Sequence, residues 1–511
     1  MRDDDSIREQ RSGRDDLVRA VGGVLLLVVA AAIVAAIPLA LGLGEREPLD
    51  ARVAGIAGEA SAAADPQNPS VDPLAWDPPR RERFEARAAT GASHVIYAKS
   101  PGGAIASARR TAAWRDEIEA AAGRHGVDPD TVEAVIFLES AGRPEVTAGP
   151  TPEAASGLAQ IIPSTATELL GMSVDLERSV AITKRIAKAE SAAEAKRLRA
   201  ERAAVDQRFN PEAAIDGAAT YLEIARERFG ADDLAIASYH MGIGNLENVI
   251  RAYAGDEGEG PIGALVAADA LTYAQLYFDS SPDSHREAHE LLTGFGDESS
   301  DYLWKVRASE GVMRLYRNDS DRLVETAALA TAKATLEEVF HPEEETEVFE
   351  DPGDLEAALR DGHLVPLPVS SRLGWLPANQ MGELAPELDQ PVELYRALRP
   401  EALATLGYLA QLVRELSGSS AALRISSTVR DLSSQELLAG DNPEATNEYS
   451  LHTTGWSFDV LRRYENGRQA EAFQFVLDRL SALALIDYAV EPAAIHVTVS
   501  ELGRELLREE P

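Results

Sequence analysis

The chain contains no cysteine. That excludes disulfides, thiolate metal sites and the lipid-modified cysteine of a lipoprotein. It leaves the compartment open, because a chain without thiols is at home inside or outside a cell. Basic residues are scarce: 49 Lys and Arg stand against 85 Asp and Glu, a formal charge of −36. So acidic a surface repels polyphosphate and argues against nucleic-acid binding, and any anionic polymer must be held by local contacts. No internal repeat is present, and histidines number only nine. What the chain does have is a 45% hydrophobic content over 511 residues, enough for two or three units with cores of their own.

The clearest segment is residues 20–44, AVGGVLLLVVAAAIVAAIPLALGLG, 25 residues without a charge. It is long enough to cross a hydrocarbon core of ~30 Å. The tail before it carries Arg2, Arg8, Arg11, Arg14 and Arg19, whereas the fifteen residues after it carry only Arg46 and Arg52. Positive-inside counting places residues 1–19 in the cytoplasm and the rest of the chain across the membrane. The run is long for a signal peptide and no small-x-small cleavage site follows, so an uncleaved transmembrane anchor is expected.

Residues 45–108, rich in Ala, Pro, Asp and Arg, are expected to be a linker. From 109 to 317 the pattern is helical, with short helices separated by GVDPD, AGRPE and FNPEA. Within it ITKRIAKAESAAEAKRLRAERAAVDQRF is expected to be one long charged helix, inserted rather than core. An acidic hinge, 318–353, precedes residues 354–511, where helical stretches such as EALATLGYLAQLVREL alternate with β-like ones (ALRISSTVR, WSFDVL, AIHVTVS). The fold class expected is a mainly α domain followed by an α+β domain, after one N-terminal transmembrane helix.

In DTVEAVIFLES, Val132, Val135, Ile136 and Leu138 form an apolar stripe that ends at Glu139. Partial desolvation there raises a carboxyl pKa and keeps the group protonated near neutrality, as a general acid on a glycosidic oxygen requires. The bland reading, a solvated charge at a helix end, is the usual one for a single Glu. Two further segments weigh against it. SGLAQIIPSTA supplies a glycine turn and Gln160, and AIASYHMGIGNLENVIRAY a helix stopping at a Gly-x-Gly loop beside Tyr239.

Taken together, Glu139-Ser140, GLAQIIPSTA, SYHMGIGN and SDYLWKVRASEGVMRLY resemble, in order and spacing, the motifs of the soluble lytic transglycosylases, whose lysozyme-like fold is close to goose-type lysozyme. The resemblance covers about residues 110–317. It departs from the family pattern at Ala159, where the family has Met, and at His240, where it has Asn. It implies Glu139 as the acid/base, with Ser140, Gln160, Tyr239 and Tyr302 lining a sugar groove, and needs no cofactor. The implied substrate is peptidoglycan, cut at the MurNAc–GlcNAc β-1,4 bond. A lysozyme-type retaining mechanism needs a second carboxylate about 5 Å away; Glu145 and Glu153 read as loop residues and no partner stands out. The resemblance implies a single-Glu route to 1,6-anhydro-MurNAc, with plain hydrolysis as the alternative.

In the C-terminal region YSLHTTGWSFDV offers His452 and Asp459, and EPAAIHVTVS offers His496, ligand types suited to Zn²⁺ with a fourth position for water. A lone strand histidine is more often a core residue. STVRDLSSQ followed by SLHTTGWSFD, however, resembles the zinc D-Ala-D-Ala carboxypeptidases and their hedgehog-like relatives over about residues 365–500. That resemblance implies His452, Asp459 and His496 as zinc ligands, and Arg430 and Gln435 as substrate-binding residues. The family's Glu three residues before the last His is Ala493 here, which leaves Glu491 as the candidate base. His285 and His289, spaced i,i+4 in DSHREAHE, read as part of a solvated helix.

Both resemblances lead to one substrate: a membrane-anchored enzyme of the bacterial cell envelope, facing the wall, that cuts glycan and cuts or binds peptide stems. Two alternatives stand beside it: a wall-binding scaffold with decayed sites, and an envelope protease with a glycan-binding domain.

Overall fold

In the computed structural model the described residues are 55–57, 60–64, 72–258, 260–332, 335–441 and 449–507. The expected transmembrane run, 20–44, lies outside them, and no helix among the described residues is long and apolar enough to cross a membrane.

Local rules set the helix that carries Glu139. Asp128 accepts the Asp130 N–H, Pro129 opens the first turn, and Ala141, at φ 53°, closes the C-terminus in the left-handed region. Val132, Ala134, Val135 and Ile136 of this helix, Pro129–Ser140, are fully buried. It lies against the long helix Tyr302–Asn318 and against Pro211–Phe229. The charged stretch read as one helix is two, Leu176–Ile186 and Ala192–Val205, packed on each other, with Ile182 and Leu198 buried. Ser191 breaks it by capping the second helix with its hydroxyl. The Gly-x-Gly loop expected after Tyr239 is a single residue: Gly242, at φ 90°, joins helices Asp232–Met241 and Ile243–Ala254.

Among the described residues seven strands follow in the C-terminal region, in chain order β1 Val365–Pro366, β2 Trp375–Pro377, β3 Ala397–Leu398, β4 Leu423–Ser427, β5 Ser457–Leu461, β6 Ile486–Val490 and β7 Ala494–Val499. β1 and β3 pair with each other, and the remaining five form one sheet in the order β2-β4-β5-β7-β6, parallel only between β2 and β4. Alternation divides the residues of the central strands. Phe458, Val460, Ile495, Val497 and Val499 are buried in the hydrophobic core, near helices Pro400–Ser417 and Gly467–Ala482. Asp459, His496 and Thr498 fall on the other face. In the β5–β7 register Asp459 stands opposite His496, which brings the two side chains within reach of each other.

Where the sequence suggests a linker and a hinge, the described residues are packed. Ala57, Ala60, Ala64, Leu74 and Trp76 belong to the core, and the Ser61 hydroxyl donates to the Gly407 carbonyl at 3.3 Å. Helix Arg81–Lys99 lies against Tyr302–Asn318 and Gly467–Ala482, and its Arg83 and Arg87 pair with Glu505. Beyond residue 318 come helices Ser320–Ala332 and Leu336–Phe340, and Phe349 is buried with its N–H on the Thr453 carbonyl at 2.8 Å. Apolar residues explain the outcome: spaced among Pro and acidic residues, they still find buried positions. Val53–Pro511 thereby forms one compact unit.

A free linker would tolerate loss of its only tryptophan. Trp76 is instead 8% exposed and set edge-on to Phe84 at 5.5 Å. Trp76→Ala is expected to cost about 3–5 kcal/mol in urea unfolding, and an unchanged midpoint would mean that the segment is unpacked.

Candidate functional site

Glu139 lies in the last turn of its helix, half-buried, and accepts a hydrogen bond from the Tyr302 hydroxyl at 2.6 Å. Burial pushes its carboxyl up from 4.5 to about 7; the Tyr302 bond acts against the rise, and the negative charge of Glu298 adds to it. Tyr302, 1% exposed, opens helix Tyr302–Asn318 and stacks on Tyr239, ring centres 6.0 Å apart and planes 6° from parallel. Tyr239 donates its hydroxyl to the Ala159 carbonyl at 2.9 Å, so the residue in the family's Met position contributes its backbone. Tyr221 meets Tyr239 edge-on at 4.9 Å. Desolvation holds the Tyr239 and Tyr302 phenols well above their usual range, so both stay protonated.

The loop opposite is built around a close approach. Gly157 has φ 83°, and a Cβ there would meet the Arg208 carbonyl oxygen at 1.7 Å. Arg208 is fully buried, paired with Asp206 at 2.7 Å, and donates to the carbonyls of Pro152 (2.8 Å) and Ile161 (3.2 Å). Gln160, at φ 45°, gives its amide N–H groups to Val146 and Gly157 carbonyls at 3.1 and 2.8 Å. Its side chain therefore holds the loop. Ser140 is buried with its hydroxyl on the Ile136 carbonyl, which keeps it inside its own helix. His240, in the family's Asn position, stacks at 5.4 Å on Tyr302, donates to or accepts from Ser299 at 2.9 Å, and lies 3.9 Å from Glu298. Glu145 is held by Arg202 and Glu153 by Thr151. Glu298 and Arg208 were not singled out in the sequence; Glu298 sits in an ordinary acidic stretch, GDESSD, with no motif to mark it.

The second cluster brings together His452, Asp459 and His496, one ligand atom from each within 4.8 Å of the others. His452 Nδ1 lies 2.7 Å from the Thr428 carbonyl, which can only accept, so the ring proton is on Nδ1. His452 Nε2 then turns a lone pair to Asp459 Oδ1 at 3.2 Å. His496 Nδ1 approaches the same oxygen at 2.8 Å. Burial and the Arg430 charge push His452 down to about 4, the neutral form a ligand needs. Burial also disfavours charge on His496, but its bonds to Asp459 and Glu337 outweigh this and push it up to about 10. Burial acts against Asp459's charge too, and the two histidines hold its carboxyl well below its usual range. A lone pair aimed at a carboxylate oxygen is repelled unless a cation lies between them. Two imidazoles and one carboxylate so arranged fit a tetrahedral zinc ion with one open position.

Beside Asp459 a cleft of about 260 Å³ is lined by Ser427, Arg430 and Glu491 among others. Arg430 donates to Ser427 at 2.7 Å and to Gln435 at 2.9 Å, and lies 3.7 Å from Asp459. Gln435, 3% exposed, supports Arg430 from behind rather than facing the cleft. Of the pair read as part of a solvated helix, His285 is exposed and stacks on Tyr253 at 3.8 Å, while half-buried His289 lies edge-on to Phe475 at 5.0 Å.

Residues 116–182 and 185–259 match the family model of the transglycosylase SLT domain. This stretch is the part of the chain in which the lytic transglycosylase motifs were read, and it contains Glu139, Gln160 and Tyr239; Tyr302 follows it. None of the curated proteins compared with the chain matches it.

The raised Glu139 pKa has a stability consequence of fixed sign. A group with a folded pKa of about 7 against 4.5 favours the fold below pH 4.5 and loses that contribution as pH rises through 7. Glu139→Gln does not titrate. It is expected to match wild type near pH 5 and to exceed it by about 2–3 kcal/mol near pH 9, at ~1.4 kcal/mol per pKa unit. Urea unfolding at both pH values checks this, and equal differences would make Glu139 a solvated charge.

Proposed function

We propose that the chain is a peptidoglycan lytic transglycosylase, with Glu139 as its acid/base, joined to a zinc-dependent site that acts on peptide stems. The SLT match supports the first activity, and one observation carries the assignment of the acid: a half-buried carboxyl with pKa near 7, held by a single tyrosine hydroxyl. Glu139 is protonated enough at neutral pH to give its proton to the departing glycosidic oxygen. As the C1–O bond breaks, the substrate's own N-acetyl oxygen bonds to C1 and takes up the developing positive charge. Glu139, now a carboxylate, removes the proton of the sugar's 6-hydroxyl. That oxygen attacks C1 and displaces the N-acetyl oxygen, giving 1,6-anhydro-MurNAc and returning the proton to Glu139. Glu145 and Glu153 are held by Arg202 and Thr151, and Glu298, the carboxylate that acts on Glu139, pairs with Lys305 at 2.7 Å, which favours this single-carboxyl route. Tyr302 aims the acid, and Tyr239, stacked on it, joins the wall to the Gly157 loop.

In the C-terminal region His452, Asp459 and His496 would hold zinc. Bound there, the ion would polarise a peptide carbonyl and lower the pKa of a bound water. Arg430, kept in place by Ser427 and Gln435, presents a guanidinium to a substrate carbonyl or carboxylate. Glu491 lines the same cleft and is the candidate base, with Ala493 in the position where the resembled family has its Glu. Residues 20–44 would anchor the enzyme with both sites on the wall side.

Mass spectrometry of purified peptidoglycan digested with the full chain tests both halves. Anhydro-MurNAc products are expected from wild type and His452→Ala and absent with Glu139→Gln. Trimmed stems are expected to persist with Glu139→Gln and to vanish with His452→Ala. Muropeptides unchanged by wild type would contradict the enzymatic reading and favour a wall-binding scaffold. Stems untouched while glycan is cut would make the C-terminal region a binding module or a protease for other substrates.

A further inference from the structure

We propose that Glu337, in the acidic stretch between the two halves of the chain, is the positioning residue that fixes His496 as a metal ligand; this rests on reading His452, Asp459 and His496 as a metal centre. Glu337 Oε2 lies 3.1 Å from His496 Nε2. A carboxylate only accepts, so Glu337 keeps the proton on Nε2 while Nδ1, 2.8 Å from Asp459, is the nitrogen that gives up its proton to take a metal. A ligating histidine needs this second contact to set its tautomer and ring orientation, and a carboxylate there also raises ligand basicity.

The carboxylate is itself held on several sides. Thr498, two residues along β7 from His496 and on the same face, donates its hydroxyl to the same Glu337 oxygen at 2.8 Å. Ser457 on β5 lies 2.7 Å from that hydroxyl. The Glu337 backbone N–H reaches Asp487 on β6 at 3.2 Å. Four residues on, buried His341 contacts the Val499 carbonyl at 2.6 Å and stacks on Trp456 at 4.4 Å, docking helix Leu336–Phe340 against the sheet. His452 has its outer partner in a carbonyl from its own region, whereas His496 draws one from the connector. The connector is thereby part of the metal site.

The test uses the full chain and two readouts: zinc affinity by competition with a chromophoric chelator, and the visible spectrum of the cobalt(II)-loaded protein at saturation. Glu337→Gln keeps the shape and an acceptor oxygen but removes the charge, and is expected to weaken zinc binding about 10-fold. Glu337→Ala is expected to weaken it up to about 100-fold. Both should shift the cobalt bands, which a purely structural role would leave in place once the site is filled. His452→Ala should abolish binding. Should Glu337→Ala fail to fold, the isosteric Gln variant carries the test. Wild-type affinity and spectrum in Glu337→Gln, with binding lost in His452→Ala, would overturn the role of Glu337 and leave the metal centre standing. Zinc binding no stronger in wild type than in His452→Ala would remove the metal centre and this inference with it.

Discussion

A carboxyl group held half out of water at the end of an apolar helix is the constraint around which the N-terminal half is arranged. Desolvation alone would make Glu139 a weak acid with no defined direction. The Tyr302 hydroxyl limits the rise in pKa and aims the group. Each neighbour then supports another: Tyr239 stacks on Tyr302, Tyr239 is tied to the Ala159 carbonyl, and the loop bearing Ala159 closes over Arg208 through Gly157. The buried Asp206–Arg208 pair is costly to desolvate but is saturated with hydrogen bonds to loop carbonyls, and such a network specifies one loop conformation. Backbone geometry and side-chain chemistry here serve one carboxyl.

The C-terminal half follows a different rule. Its cluster is crowded with acceptors: Thr428, Asp459 and Glu337 all face two imidazoles. Register supplies the juxtaposition, because β5 sets Asp459 opposite His496 and the 3-10 turn Leu451–Thr454 brings in His452. The two halves share a core that runs from helix Arg81–Lys99 to helix Gly467–Ala482, which sets them in one body rather than on a flexible tether.

Much of this was legible in the sequence, for reasons of periodicity and spacing. The apolar stripe before Glu139, the capping Asp128-Pro129 and the alternation in AIHVTVS each state their own structure. Spacing alone did not predict that His452, Asp459 and His496 meet; a family resemblance implied it, and the three side chains lie together in the fold. The supporting residues were hidden because they act through space. Glu337 is one acid in a run of acids, Arg208 one of many arginines, and nothing local says which will be buried. Gln160 and Ser140 were read as groove residues, yet their hydrogen bonds are spent on backbone carbonyls. The linker and hinge were misjudged because Pro and charge dominate their composition, while Trp76, Phe349 and His341, which dock them, are few.

The pH dependence of anhydro-MurNAc release tests the central claim most directly. A carboxyl kept protonated by burial predicts a rate that falls as pH rises through about 7. In Tyr302→Phe, which loses the hydrogen bond that lowers this pKa, the same limb should move to higher pH. A limb near pH 4.5, or one unmoved by Tyr302→Phe, would contradict the account of Glu139 as a desolvated acid.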